Sequence, residues 1–128
     1  MSKLNFFKND NVKISYRYYK RSKKTLIFLH GLLSDMNSKK SNFLNNYCKK
    51  NNISYLCFDF QGHGRSSGEF TNFGISDWYD DLDNIVKYLK IRNFILIGSS
   101  MGGWVAIIYA LMHPKKVTKL IGLSLIHI

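Results

Sequence analysis

The sequence predicts an α/β fold with a mainly parallel sheet and helices on both faces. Three observations predict it. Short apolar runs without charge recur at residues 25–29, 53–58 and 94–97, as strands buried on both faces require. Stretches with apolar residues at helical spacing separate these runs, and such alternation argues parallel strands joined by helices. A glycine-rich turn, Gly98-Ser99-Ser100-Met101-Gly102-Gly103, then joins the third run directly to the uncharged stretch 104–112.

The elements follow in order. Residues 13–19 alternate apolar Ile14, Tyr16 and Tyr18 with polar neighbours, the pattern of an antiparallel edge strand. Residues 25–29 form a buried strand. Residues 41–50 carry Phe43, Leu44 and Tyr47 on one face of a short helix. Residues 53–58 form the next buried strand. Ser76 is placed to cap a helix whose first turn holds Asp77, Asp80 and Asp81, which suits the positive end of a helix. Trp78, Leu82, Ile85, Val86 and Leu89 recur along it as a core stripe. Pro114 ends the helix after the turn, and residues 117–123 begin a further strand.

The turn at Ser100 has the G-x-S-x-G pattern of a nucleophile elbow. A strand feeding straight into a helix needs a sharp, strained tip, and side chains two before and one or two after it would collide. Gly98, Gly102 and Gly103 meet that need. The tip lifts the Ser100 hydroxyl into the open at a helix start, where unpaired N–H groups favour developing negative charge. Ser100 is the candidate nucleophile. In acyl-transfer enzymes of this layout the residue after the nucleophile gives one backbone N–H of the oxyanion hole. The loop after an earlier strand gives the other. Those positions are Met101 and, following the strand at 25–29, Leu32. His30 is read as a brace for its loop rather than as a base. The loop Asp59-Phe60-Gln61-Gly62-His63-Gly64-Arg65-Ser66-Ser67-Gly68 is read as shaping the site, with Asp59 bonding backbone N–H groups or Arg65.

With His30-Gly31, residues 59–66 and residues 98–103 in this order, the chain from about Tyr16 to Gly122 resembles the α/β-hydrolase superfamily. Ser34-Asp35-Met36-Asn37 with Lys39 or Lys40, then Phe58-Asp59-Phe60, then residues 98–104 ending in Trp104, look like one branch of it. That branch holds bacterial hydrolases and a mitochondrial acyl-protein thioesterase and acyl-glucuronide esterase. The resemblance implies a serine hydrolase that cleaves a small-molecule or acyl-protein ester or thioester through an acyl-enzyme on Ser100. It implies no metal and no organic cofactor.

The fold family orders its triad as nucleophile, acid, base. After Ser100 the sequence has no Asp or Glu, and its later histidines are His113, expected in a solvated surface role, and His127. The triad acid and base are therefore expected outside these residues, leaving the chain nearly inactive alone. Leu123-Ser124-Leu125-Ile126-His127-Ile128 is also what CTG TCT CTT ATA CAC ATC encodes, a string that resembles a transposon-end tag used in sequencing libraries. The expectation is that residues 1–122 are the N-terminal part of one hydrolase domain and residues 123–128 such a tag.

The formal net charge is +11, from 19 Lys and Arg against 8 Asp and Glu. The lysines come in scattered pairs without interleaved aromatic residues, which argues against nucleic-acid binding. Their abundance, with that of Asn and Ile, matches AT-rich codon usage. Residues 94–112 are uncharged, but their Gly-Ser-Ser-Met-Gly-Gly centre suits a strand, turn and helix, not a membrane span. Cys48 and Cys57 lack metal or redox spacing, and the N-terminus lacks a continuous apolar stretch, so a cytoplasmic location is expected. Two other function classes stay open: a non-catalytic module binding an acidic partner through its basic surface, and an α/β hydrolase acting on amide or carbon–carbon bonds. Oligomeric state is left unassigned.

Overall fold

A computed structural model describes residues 3–123. The strands are β1 Asn5–Asn9, β2 Val12–Tyr19, β3 Thr25–Leu29, β4 Ser54–Phe58, β5 Phe94–Ser99 and β6 Val117–Leu123. The helices are α1 Lys39–Lys50, α2 Ile75–Tyr88 and α3 Met101–Met112, with a short 3-10 turn at Phe70–Asn72. The six strands form one sheet in the order β1-β2-β4-β3-β5-β6. β1 and β2 are antiparallel to their neighbours; β4, β3, β5 and β6 run parallel. The mixed, mainly parallel sheet is the expected fold class.

The uncharged runs have a direct cause. Alternate residues of one strand enter two separate cores. Ile27 and Leu29 of β3, with Leu56 and Phe58 of β4, join Leu82 and Ile85 of α2 and Val105 and Tyr109 of α3. Leu26 and Phe28, with Tyr55 and Cys57, join Cys48 of α1 on the other face. Every residue of β3 and β4 is buried, so no position is left for a charge.

Three local expectations are corrected. Residues 13–19 are not at the edge: β1 pairs outside β2, in register from Asn5 opposite Tyr16 to Asn9 opposite Val12. Asp10, with φ of 52°, turns the hairpin, a conformation Asp tolerates. Helix α1 starts at Lys39, with Ser38 as its N-cap accepting from the Ser41 amide at 3.2 Å. Its buried residues are Ser41 and Cys48, while Phe43 and Tyr47 are exposed. Leu44 packs against the core as expected, and beside it the buried Ser41 hydroxyl bonds the Tyr55 hydroxyl at 2.7 Å. Helix α2 is capped at Gly74, not Ser76, with the Asp77 carboxylate accepting the Gly74 N–H at 2.8 Å. Its stripe of Trp78, Leu82, Ile85 and Val86 is buried as expected.

The loops after β3, β4 and β5 open on one rim, at the carboxyl ends of the parallel strands, which is where such sheets place their sites. The opposite rim receives Lys49 and Lys50 at the end of α1, Lys90 and Arg92 beyond α2, and Lys115 and Lys116 beyond α3. Leu123 is the last residue of β6 and accepts the Ser100 N–H at 2.8 Å. Residues 124–128 of the suspected tag, His127 included, lie outside the described residues.

Candidate active site

Ser100 stands between the end of β5 and the start of α3 with φ of 56° and ψ of −119°. A residue with a Cβ avoids positive φ, so the turn holds Ser100 in a strained state. Its carbonyl accepts the N–H groups of Gly103 at 2.9 Å and Trp104 at 3.3 Å, which starts the helix. Close packing beneath the tip explains two of the glycines. A Cβ on Gly98 would lie 2.3 Å from the Gly102 carbonyl oxygen, and one on Gly102 would lie 2.4 Å from that of Leu29. Met101 is the first residue of α3, and the first N–H groups of a helix have no partner within it.

The loop after β3 comes up against this tip. A Cβ built on Gly31 would be 3.2 Å from the Ser100 Cβ and 3.8 Å from its Oγ. Leu32, about half exposed, lines a cavity of about 600 Å3 together with Ser100 and Met101. Phe70, Thr71 and Phe73 form its second wall, and Ile75 and Trp78 of α2 its third. The three residues singled out from sequence, Ser100, Leu32 and Met101, thus border one largely apolar cavity.

His30 and His63 brace the loops. The His30 Nε2 accepts the Phe60 N–H at 3.0 Å, so Nδ1 carries the proton and donates to the Gly31 carbonyl at 2.7 Å. Burial pushes the His30 imidazole down to about 4, which keeps it neutral. The His63 Nε2 accepts the Leu33 N–H at 3.0 Å, and Nδ1 donates to the Gln61 carbonyl at 3.2 Å. Asp59 accepts the Met36 N–H at 2.8 Å, the Arg65 amide at 3.1 Å and the Ser15 hydroxyl, joining both loops to β2. Its role as an anchor through backbone N–H groups is as expected.

Some features escaped the sequence reading. Lys40 Nζ donates to Ser99 Oγ at 3.0 Å, bridging α1 to the elbow. Asp81 is buried and accepts the Gln61 backbone N–H and side-chain amide, each at 2.8 Å. Burial pushes its carboxyl up to about 7 against these two donors, which favour the charged form. His113 is not a plain surface residue. It is partly buried, bonds the Tyr79 hydroxyl at 2.8 Å and stacks on Tyr79 and Tyr109. It lies just beyond the far end of α3, about 18 Å from Met101 at the usual helical rise. Each described histidine therefore has its Nε2 engaged away from Ser100. Among the described residues no group of three or more His, Cys, Asp or Glu gathers as metal ligands.

A family profile described as the alpha/beta hydrolase fold matches residues 24–127. The chain belongs to the α/β-hydrolase fold family. The chain is 33% identical over 122 residues to the mitochondrial palmitoyl-protein thioesterase ABHD10 of Rattus norvegicus, covering 94% of the chain and 41% of that relative. It superposes on the mouse alpha/beta hydrolase domain-containing protein 10 with a TM-score of 0.88 at 31% identity, over 94% of the chain and 48% of that structure. An esterase from Exiguobacterium antarcticum superposes with a TM-score of 0.81 at 27% identity, over 95% and 44%. The chain thus spans less than half the length of these relatives. Among its described residues no helix is long and apolar enough to cross a membrane.

Proposed function

We propose that the chain carries the nucleophile and the oxyanion donors of a serine hydrolase that cleaves esters or thioesters. The base takes the Ser100 hydroxyl proton as Oγ attacks the acyl carbonyl carbon, and the carbonyl oxygen becomes an oxyanion held by the Leu32 and Met101 N–H groups. The intermediate collapses to an acyl-enzyme and expels the alcohol or thiol, which takes up a proton from the base. Water then hydrolyses the acyl-enzyme. The single observation that carries this reading is the strained Ser100, with φ of 56°, at the floor of the apolar cavity. Phe70, Phe73, Ile75 and Trp78 suit an acyl chain and offer no charge for a charged head group. The names of the thioesterase and esterase relatives point the same way.

The triad acid and base come, in this reading, from outside the 128 residues, because no Asp or Glu follows Ser100. Two free, buried cysteines suit a reducing compartment and a cytoplasmic protein. The test is fluorophosphonate labelling of a protein that joins these residues to the triad acid and base. Labelling at Ser100, lost in Ser100→Ala, is expected; equal labelling of the alanine variant overturns the reading.

A further inference from the structure

We propose that His63 is a positioning residue that ties the oxyanion loop to the wall of the acyl cavity. The inference rests on the reading of Leu32 as an oxyanion donor. His63 is 5% exposed, and its ring meets one residue from each of the two aromatic walls of the cavity. Its Nε2 accepts the N–H of Leu33, thirty positions away in sequence, at 3.0 Å. Its ring meets Trp78 edge-on, with centroids 5.6 Å apart, and lies 6.4 Å from Phe70. Trp78 and Phe70 both line the cavity.

The bond to Leu33 has a specific consequence. Leu33 has φ of 59°, a left-handed state that a side-chain-bearing residue leaves unless its neighbours hold it there. The Leu33 N–H belongs to the peptide on one side of Leu32. The peptide on the other side is held through the Gly31 carbonyl, which accepts from His30 Nδ1 at 2.7 Å and the Ser34 amide at 3.1 Å. A trans peptide points its N–H opposite its carbonyl. Pinning the Gly31 carbonyl therefore fixes the line of the Leu32 N–H, and His63 fixes the following peptide. The two histidines hold the donor from both sides.

His63 is itself oriented. An amide N–H needs a lone pair to receive it, so Nε2 is unprotonated and the proton sits on Nδ1, which donates to the Gln61 carbonyl at 3.2 Å. That carbonyl also accepts Trp78 Nε1 at 3.0 Å. The Gln61 backbone and side-chain amides are clamped on Asp81 of α2 at 2.8 Å each. A chain of bonds thus runs from α2 through Gln61 and His63 to the residue beside the oxyanion donor. A histidine that merely fills a core would not need to end on that one strained peptide.

The test reads amide geometry on the 128-residue chain by nitrogen-15 NMR and hydrogen exchange, so it stands apart from the labelling test of acyl transfer. In the unmodified chain His63 is expected as the neutral tautomer protonated at Nδ1, with a protected Leu33 amide. In His63→Leu, which has no acceptor, Leu33 exchange is expected to rise about tenfold or more and the Leu32 amide resonance to move, with β3 and β5 amides unchanged. His63→Gln, which restores an acceptor, is expected to return Leu33 exchange to within about threefold of the unmodified chain. Unchanged Leu32 and Leu33 amides in His63→Leu overturn the proposal, as does a rescue that fails in a folded His63→Gln. Should His63→Leu not fold, the unmodified chain still decides: a His63 protonated at Nε2 or a freely exchanging Leu33 amide refutes the link.

Discussion

Gly98 and Gly102 face each other beneath Ser100 so closely that a Cβ on the first would lie 2.3 Å from the carbonyl oxygen of the second. The obstacle is backbone, which cannot swing aside as a side chain can. Gly98→Ala is therefore expected to destabilise the fold by about 3 kcal/mol. Urea unfolding of the two proteins checks this, and a loss below about 1 kcal/mol would mean that the elbow is looser than its geometry implies.

Ser100 itself is strained, with φ of 56°. Ser100→Gly is expected to raise stability by about 1 kcal/mol, since glycine adopts this backbone state freely. The same variant lacks the proposed nucleophile. A parallel rise in unfolding midpoint and loss of phosphonate labelling would show one residue trading stability for reactivity. A less stable glycine variant would place the strain elsewhere.

Two buried groups bend the pH dependence of stability in opposite directions. His30 is pushed down to about 4, so between about pH 4 and 6.5 the unfolded chain binds more protons and stability rises with pH. Asp81 is pushed up to about 7, so from about pH 4 to 7 the folded chain binds more protons and stability falls as pH rises. Each effect is on the order of 2–4 kcal/mol at the usual conversion. The wild-type profile is expected to be shallow across this window because the two oppose. Asp81→Asn unmasks the histidine, and its stability is expected to climb from pH 4 to 6.5. Chemical denaturation at three pH values would reveal this; a variant parallel to wild type would refute the Asp81 shift.

The chain alone is expected to hydrolyse activated esters only at trace rates. Without a base, Ser100 stays a protonated hydroxyl at neutral pH, and such hydroxyls are weak nucleophiles. Turnover by purified monomer is expected to match that of Ser100→Ala. Robust turnover dependent on Ser100 would require a base among these residues, and His30, His63 and His113 would then be replaced in turn.

Much of this was legible in the sequence where one physical rule dominates. β3, β4 and β5 are buried on both faces, so their runs exclude charge, and the elbow glycines mark the tip. The strand β6 at Val117–Leu123 followed from the uncharged helix and Pro114 before it. β1 was not legible, because its pattern is exposed except at Phe7 and its stability comes from the hairpin ladder. The α1 face was legible only in part: Leu44 packs against the core, but Phe43 and Tyr47 are exposed, and Ser41, whose hydroxyl meets that of Tyr55, and Cys48 are the residues buried there. In the site, Ser100, Leu32 and Met101, singled out by motif, all border the cavity. The part of His63 could not be singled out so, since its acceptor role depends on two loops meeting in space.

The lysine-rich rim has an electrical consequence. Helices α1, α2 and α3 all run away from the site, so their positive ends gather near Ser100 and their negative ends meet Lys49, Lys50, Lys90, Lys115 and Lys116. The length of α3, about 18 Å at the helical rise, exceeds the roughly 8 Å screening distance of physiological salt. The charges beyond the helix ends are therefore largely screened from the mouth of the cavity. What reaches the site is the field of the three helix starts themselves, which favours a group that gains negative charge there over one that carries positive charge on arrival.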